Sequence, residues 1–136
     1  MTKKELRTYA LRFKQLIRVL KALTPHQRKK HFIMSDWTKE TPCGTARCAA
    51  GYAAVDPWFI RRGFQLAFDS QAVEGPRFDQ VDQWGAIRAF FGELPLDGFD
   101  VGREHVQHPV FAAPDTVTEV IRAAEKRIQI LELLAS

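Results

Sequence analysis

Leu6, Tyr9, Ala10, Phe13, Leu16, Ile17, Leu20 and Leu23 recur at spacings of three and four, the signature of one helix face. Lys and Arg fill the opposite side, and Thr2-Lys3-Lys4-Glu5 has the form of a capping box, so a helix is predicted over 3–23. Thr24-Pro25-His26-Gln27 repeats the start signal with Pro at the first helical position, which predicts a short second helix to about residue 31. The stretch 35–44 has loop composition. Thr45 is placed to cap a helix over about 46–55, whose alanines are interrupted by Gly51. A glycine there costs about 1 kcal/mol relative to alanine, so close backbone packing is expected. Asp56-Pro57 opens a further short helix ending near Gly63. Phe64, Leu66 and Phe68 then alternate with Gln65, Ala67 and Asp69, predicting a strand, with Val73 in the return arm of a short hairpin around 64–74. Asp79 is placed to cap a helix carrying Val81, Trp84, Ile87 and Phe91 on one face, with Gly92 as its stop. Residues 92–114 read as an irregular connection pinned by Leu96, Phe99, Val110 and Phe111. Thr116-Val117-Thr118-Glu119 opens the last helix, over 117–134.

The expected fold is mainly α: a compact single domain, 1–136, of about five or six helices with the hairpin packed on them. A length of 136 residues suits one domain, and an apolar content of 46% with ten Phe and three Trp can build a core and excludes a disordered chain. No apolar run approaches the ~18–20 residues of a membrane span, and polar residues interrupt what would be the core of a signal peptide. Two cysteines are too few for a disulfide scaffold. A cytoplasmic location without membrane attachment is therefore expected. The net charge of +4 conceals an asymmetry. Residues 1–31 hold ten basic side chains and one acid, whereas 32–136 hold ten basic and fifteen acidic ones. A basic arm beside an acidic body can attract nucleic acid or an acidic protein surface, or dock on its own body.

The densest unusual stretch runs through Phe32, Met34, Trp37, Cys43, Gly44, Thr45, Cys48, Gly51 and Tyr52. Its pattern, Phe-x-Met-x-x-Trp and then Cys-Gly-Thr-x-x-Cys-x-x-Gly-aromatic, resembles a group of small uncharacterised bacterial and bacteriophage proteins. Phe91-Gly92 and the final Thr-then-Val helix are similar as well. The likeness covers most of 31–131 and is specific over 32–52. Tyr52 stands where the group has Trp, and the basic first helix is not part of the resemblance. It implies a recurrent fold, often in mobile elements, and brings no activity with it.

Four readings of the cysteines compete. They can be small buried hydrophobes, or a Cys43–Cys48 disulfide, which a reducing compartment disfavours. Cys43 and Cys48 can join His105 and His108 in a tetrahedral metal site, although histidines in such a loop are ordinarily solvated. Cys43 or Cys48 can also be a catalytic nucleophile, since a helix start lowers a thiol pKa, with His26, His31, His105 and His108 as candidate bases. Asp97, Asp100 and Glu104 gather around Phe99, but their spacing matches no calcium loop. Asp36-Trp37 reads as a ligand-stacking corner or as a Trp held by a turn. Phosphate-binding glycine loops and the common hydrolase motifs are absent.

The function expected from these features is non-enzymatic interaction through the basic face of Arg7, Lys14, Arg18, Lys21, Arg28, Lys29 and Lys30. The partner expected first is an acidic protein surface, such as a host factor bound by a phage or mobile-element accessory. Nucleic acid is the second, with structural zinc as a variant of that reading, and a cysteine-dependent hydrolase is the enzymatic alternative. No cofactor is expected. The first helix can pack on its own domain or on a second copy in a homodimer.

Overall fold

A computed structural model describes residues 1–42, 44–69, 72–97, 108–112 and 114–136. Its elements are mainly helical. Helix α1 spans Lys3–Lys21, α2 Pro25–Lys30, α3 Ala49–Ala54 and α4 Pro57–Ile60. Helix α5 spans Gln83–Phe91, α6 Pro109–Ala112 and α7 Val117–Ala135, with a 3-10 turn at Pro95–Asp97. Strands β1 (Thr38–Thr41) and β2 (Gly44–Arg47) form one antiparallel hairpin. Strands β3 (Gln65–Asp69), β4 (Ala72–Phe78) and β5 (Val81–Asp82) form a second antiparallel sheet in sequence order.

Helices α1, α2 and α7 start where their capping residues dictate. Thr2, Thr24 and Thr116 each accept the amide three residues on, and at α2 the Gln27 side chain closes a reciprocal box. Helix α1 lies antiparallel against α7 and buries Leu6, Ala10, Phe13, Leu16 and Leu20. Its apolar stripe is thus covered within the chain, without a second copy. Phe13, Phe59, Phe64, Phe90, Phe91 and Phe111 join α1, α4, the residue leading into β3, α5 and α6 into one aromatic core, with ring centroids 4.8–6.4 Å apart. Arg12 belongs to this core rather than to the solvated face. Its Nη1 donates to the Phe90 carbonyl at 2.6 Å, and the guanidinium lies 4.1 Å from the Phe90 ring centroid.

Three local expectations are corrected. Residues 38–47 pair as a hairpin, Thr38 opposite Arg47 and Thr41 opposite Gly44, so Thr45 lies on a strand and Cys48 caps α3 instead. The hairpin carries no apolar alternation because only Ala46 of its described side chains is fully buried, which leaves no period-two signal. Asp79 does not cap α5: Asp79 and Gln80 take left-handed φ values of 51° and 65° and form the tight turn from β4 to β5. Helix α5 then starts at Gln83, and Val81 is exposed rather than on its buried face. Leu96 does not pin the 92–114 connection, being 63% exposed, whereas Leu94, Val110 and Phe111 are buried. Phe99, Asp100, Glu104 and His105 lie outside the described residues, as does Cys43.

Candidate functional site

The motif around Trp37 becomes legible through its backbone. Segment 31–33 runs alongside the end of β2: Ile33 N–H donates to the Arg47 carbonyl and Arg47 N–H to the His31 carbonyl, both at 3.0 Å. Helix α3 then straps this segment in place. The Tyr52 hydroxyl donates to the His31 carbonyl at 2.5 Å, and its ring lies nearly parallel to Phe32. The Cys48 thiol donates to the Trp37 carbonyl across 3.9 Å, while Gly51 N–H donates to the Cys48 sulfur at 3.4 Å. Gly51 must be glycine because a Cβ there would lie 2.0 Å from the Trp37 carbonyl oxygen. Close backbone packing thus explains the glycine inside α3, as its cost required. On the far side, β4 approaches the indole of Trp37 through Gly75, whose φ of +91° and missing side chain both suit glycine.

This arrangement decides what Cys48 does. Backbone amides at the start of α3 favour its thiolate, but burial outweighs them and, with the Asp36 charge adding to the rise, pushes the thiol up to about 11. Cys48 is a free, buried thiol, and no histidine is hydrogen-bonded to it among the described residues. Its geometry is that of a packing group, not of an activated nucleophile.

Beside Cys48 opens a cavity of about 390 Å³, lined by Met34, Asp36, Trp37, Thr38, Trp84 and Phe111 together with Ser35 and Cys48. Trp37 and Trp84 meet edge to face, centroids 5.1 Å apart at 61°, and form an aromatic corner. Asp36 is exposed at its edge and accepts from the Ser35 hydroxyl at 3.0 Å. The Thr38 hydroxyl is buried with no partner among the described residues. Asp36-Trp37 stood out in the sequence, whereas Trp84 and Phe111 read there only as core residues of distant elements, and nothing in the sequence placed them beside Trp37.

His108 lies elsewhere, in the core, where it is 2% exposed between Phe13 and Phe111. Val110 N–H donates to Nδ1 at 3.2 Å, so Nε2 carries the proton and donates to the Gly92 carbonyl at 3.1 Å. Both nitrogens are engaged by backbone, which leaves neither for a metal, and the histidine is not solvated. Burial and then the Arg127 charge lower its pKa to about 4. Arg127 itself pairs with Asp97 in a buried, two-pronged ion pair; one contact, Nη1 to Oδ2, is 3.0 Å, and Leu94 N–H adds a bond to the same carboxylate at 2.8 Å. Burial works to raise the Asp97 pKa, but Arg127 and the Leu94 amide prevail and hold it below the usual carboxylate range. Asp97 is therefore a structural anchor. Among the described residues, no three His, Cys, Asp or Glu side chains gather closely enough to hold a metal ion.

The seven basic side chains singled out in the sequence divide into two groups. Arg7 donates to the Ala135 carbonyl at 3.3 Å, and Lys14 pairs with Glu132 at 2.6 Å, so both tie α1 to α7. Arg28 donates to the carbonyls of Leu20, Lys21 and Leu23 at 3.3–3.4 Å, closing the end of α1 and holding α2 against it. The side chains of Arg18, Lys21, Lys29 and Lys30 are exposed and make no hydrogen bond or ion pair among the described residues. All four lie near the negative ends of their helices, which they complement. Among the described residues, no helix is long and apolar enough to cross a membrane. No family model, curated protein or solved structure matches the chain.

Proposed function

We propose that the protein is a small non-enzymatic interaction protein that engages an acidic protein surface through the corner between α1 and α2. The observation that carries this reading is the division of the basic face: Arg7, Lys14 and Arg28 serve the fold, whereas Arg18, Lys21, Lys29 and Lys30 project from it unpaired among the described residues. Arg28 holds the two helices together, so four cations are presented on a braced scaffold, at a low ordering cost on binding. The resemblance of 32–52 to small bacteriophage and bacterial proteins suits a mobile-element accessory, and the basic corner, which lies outside that resemblance, is the surface by which it would occlude a host factor. The buried Cys48 argues against Cys48 as the nucleophile of a hydrolase, since burial raises its thiol pKa to about 11, while Cys43 lies outside the described residues.

The test is capture from a bacterial lysate on tagged protein, with and without nuclease, beside an Arg18→Glu/Lys21→Glu variant. The expected result is a protein band that survives nuclease and disappears with the variant. Material lost on nuclease treatment, with binding that falls steeply as salt rises, would replace the acidic protein by nucleic acid. A band that the variant retains would remove the basic corner from the function.

A further inference from the structure

The cavity beside Trp37 shares no residue with the basic corner, and its chemistry is of the opposite sign. Trp37, Trp84 and Phe111 supply three aromatic rings, Met34 and Cys48 supply polarizable sulfur, and Asp36 supplies the only formal charge among the lining residues. No Lys, Arg or His lines it among the described residues, although the chain as a whole is cationic. A cation within about 6 Å of an indole face is attracted by the ring quadrupole, and a corner of two indoles beside a carboxylate compounds that attraction. We propose that this cavity binds a methylated ammonium group, the indoles of Trp37 and Trp84 contacting its methyls and Asp36 balancing its charge, over a floor to which the buried Phe111 contributes.

Three further observations support the assignment. Trp37 is held before any ligand arrives, its carbonyl by Cys48 and Gly51 and its indole against Gly75, so an aromatic wall stands already ordered. The Asp36 carboxylate makes itself felt at the cavity wall, adding to the rise of the Cys48 pKa, and no Lys or Arg among the described residues neutralises it. A volume of about 390 Å³ accommodates a trimethylammonium head with part of its stem.

Such a head can belong to a free small molecule or to a trimethylated lysine on another protein, so both are tested. Choline, a trimethyl-lysine peptide and 3,3-dimethylbutanol, the neutral isostere of choline, are titrated into protein labelled with ¹⁵N at tryptophan. The three indole N–H resonances report position. Trp37 and Trp84 are expected to shift saturably with choline or with the peptide, whereas Trp58, which packs under Arg62, stays put. The tighter of the two cations identifies the source of the group. The neutral alcohol should bind about tenfold more weakly than choline, a difference of about 1.4 kcal/mol. Asp36→Asn and Trp84→Phe, each checked for an unchanged melting temperature, should weaken the cation by a similar factor. Equal binding of the alcohol and choline would overturn the proposal, as would no saturable shift with either cation at its solubility limit. Retention of full affinity by Asp36→Asn or by Trp84→Phe would do the same.

Discussion

At the scale of single residues, the Cys-x-x-Gly spacing is a clamp on one carbonyl group. The thiol of Cys48 donates to the Trp37 oxygen, and the absent side chain of Gly51 makes room for it. Gly51→Ala would drive a methyl into that oxygen, so a loss of about 2–4 kcal/mol in urea unfolding is expected. A wild-type midpoint would show that the Trp37 segment is not braced by α3. His108 makes the second prediction, in pH. It is neutral in the folded chain down to about pH 4, whereas the unfolded chain protonates it near 6.5. Between those values only the unfolded state takes up the proton, so stability falls as the solution is acidified, by on the order of 3 kcal/mol across the window. Asp97, with its lowered pKa, stays ionised through that window and loses its contribution only at lower pH. His108→Gln should flatten the dependence between pH 6.5 and 4 while lowering stability throughout, as urea titrations at successive pH values would reveal.

At the scale of elements, caps set the helix starts and long-range pairs set where the connections go. The ion pair of Asp97 with Arg127 fastens the turn after α5 to the middle of α7, and both side chains are about 95% buried or more. Removing one partner strands the other, so Asp97→Asn should cost about 3–5 kcal/mol. The combined Asp97→Leu/Arg127→Met change, which buries no charge, should recover much of that loss in the same denaturation assay. Arg28 plays the corresponding part between α1 and α2. Its three carbonyl contacts close a helix end, and Arg28→Ala should cost about 1–2 kcal/mol.

For the whole molecule, charge is divided by use. Basic groups on α1 that face α5 or α7 are part of the fold, and those at the α1–α2 corner are not. Arg18→Glu/Lys21→Glu should accordingly shift unfolding by no more than about 1 kcal/mol, chiefly through the helix dipole. A larger loss would mean that these cations hold the fold together, and the corner would cease to be a free surface. The aromatic cavity is a separate feature of opposite electrostatic character, so loss of one site should leave the other intact.

The long helices and the second short helix were legible in the chain itself, because local caps and the 3.6-residue period specify them; apolar alternation announced β3, while β4 has no such period and was foreseen only through Val73. The hairpin of β1 and β2 was not, since its polar strands have no apolar face to announce them. Sequence likewise marked Trp37, Cys48 and Gly51 as unusual, foresaw close backbone packing at Gly51, and left Cys48 open among core, disulfide, metal and catalysis. Tertiary structure buries Cys48 against the Trp37 carbonyl, where burial outweighs the helix amides and raises the thiol pKa. It also placed Trp84 and Phe111 beside Trp37, more than forty residues away along the chain. Periodicity records which face of an element is buried; which distant side chains meet there depends on how the elements pack.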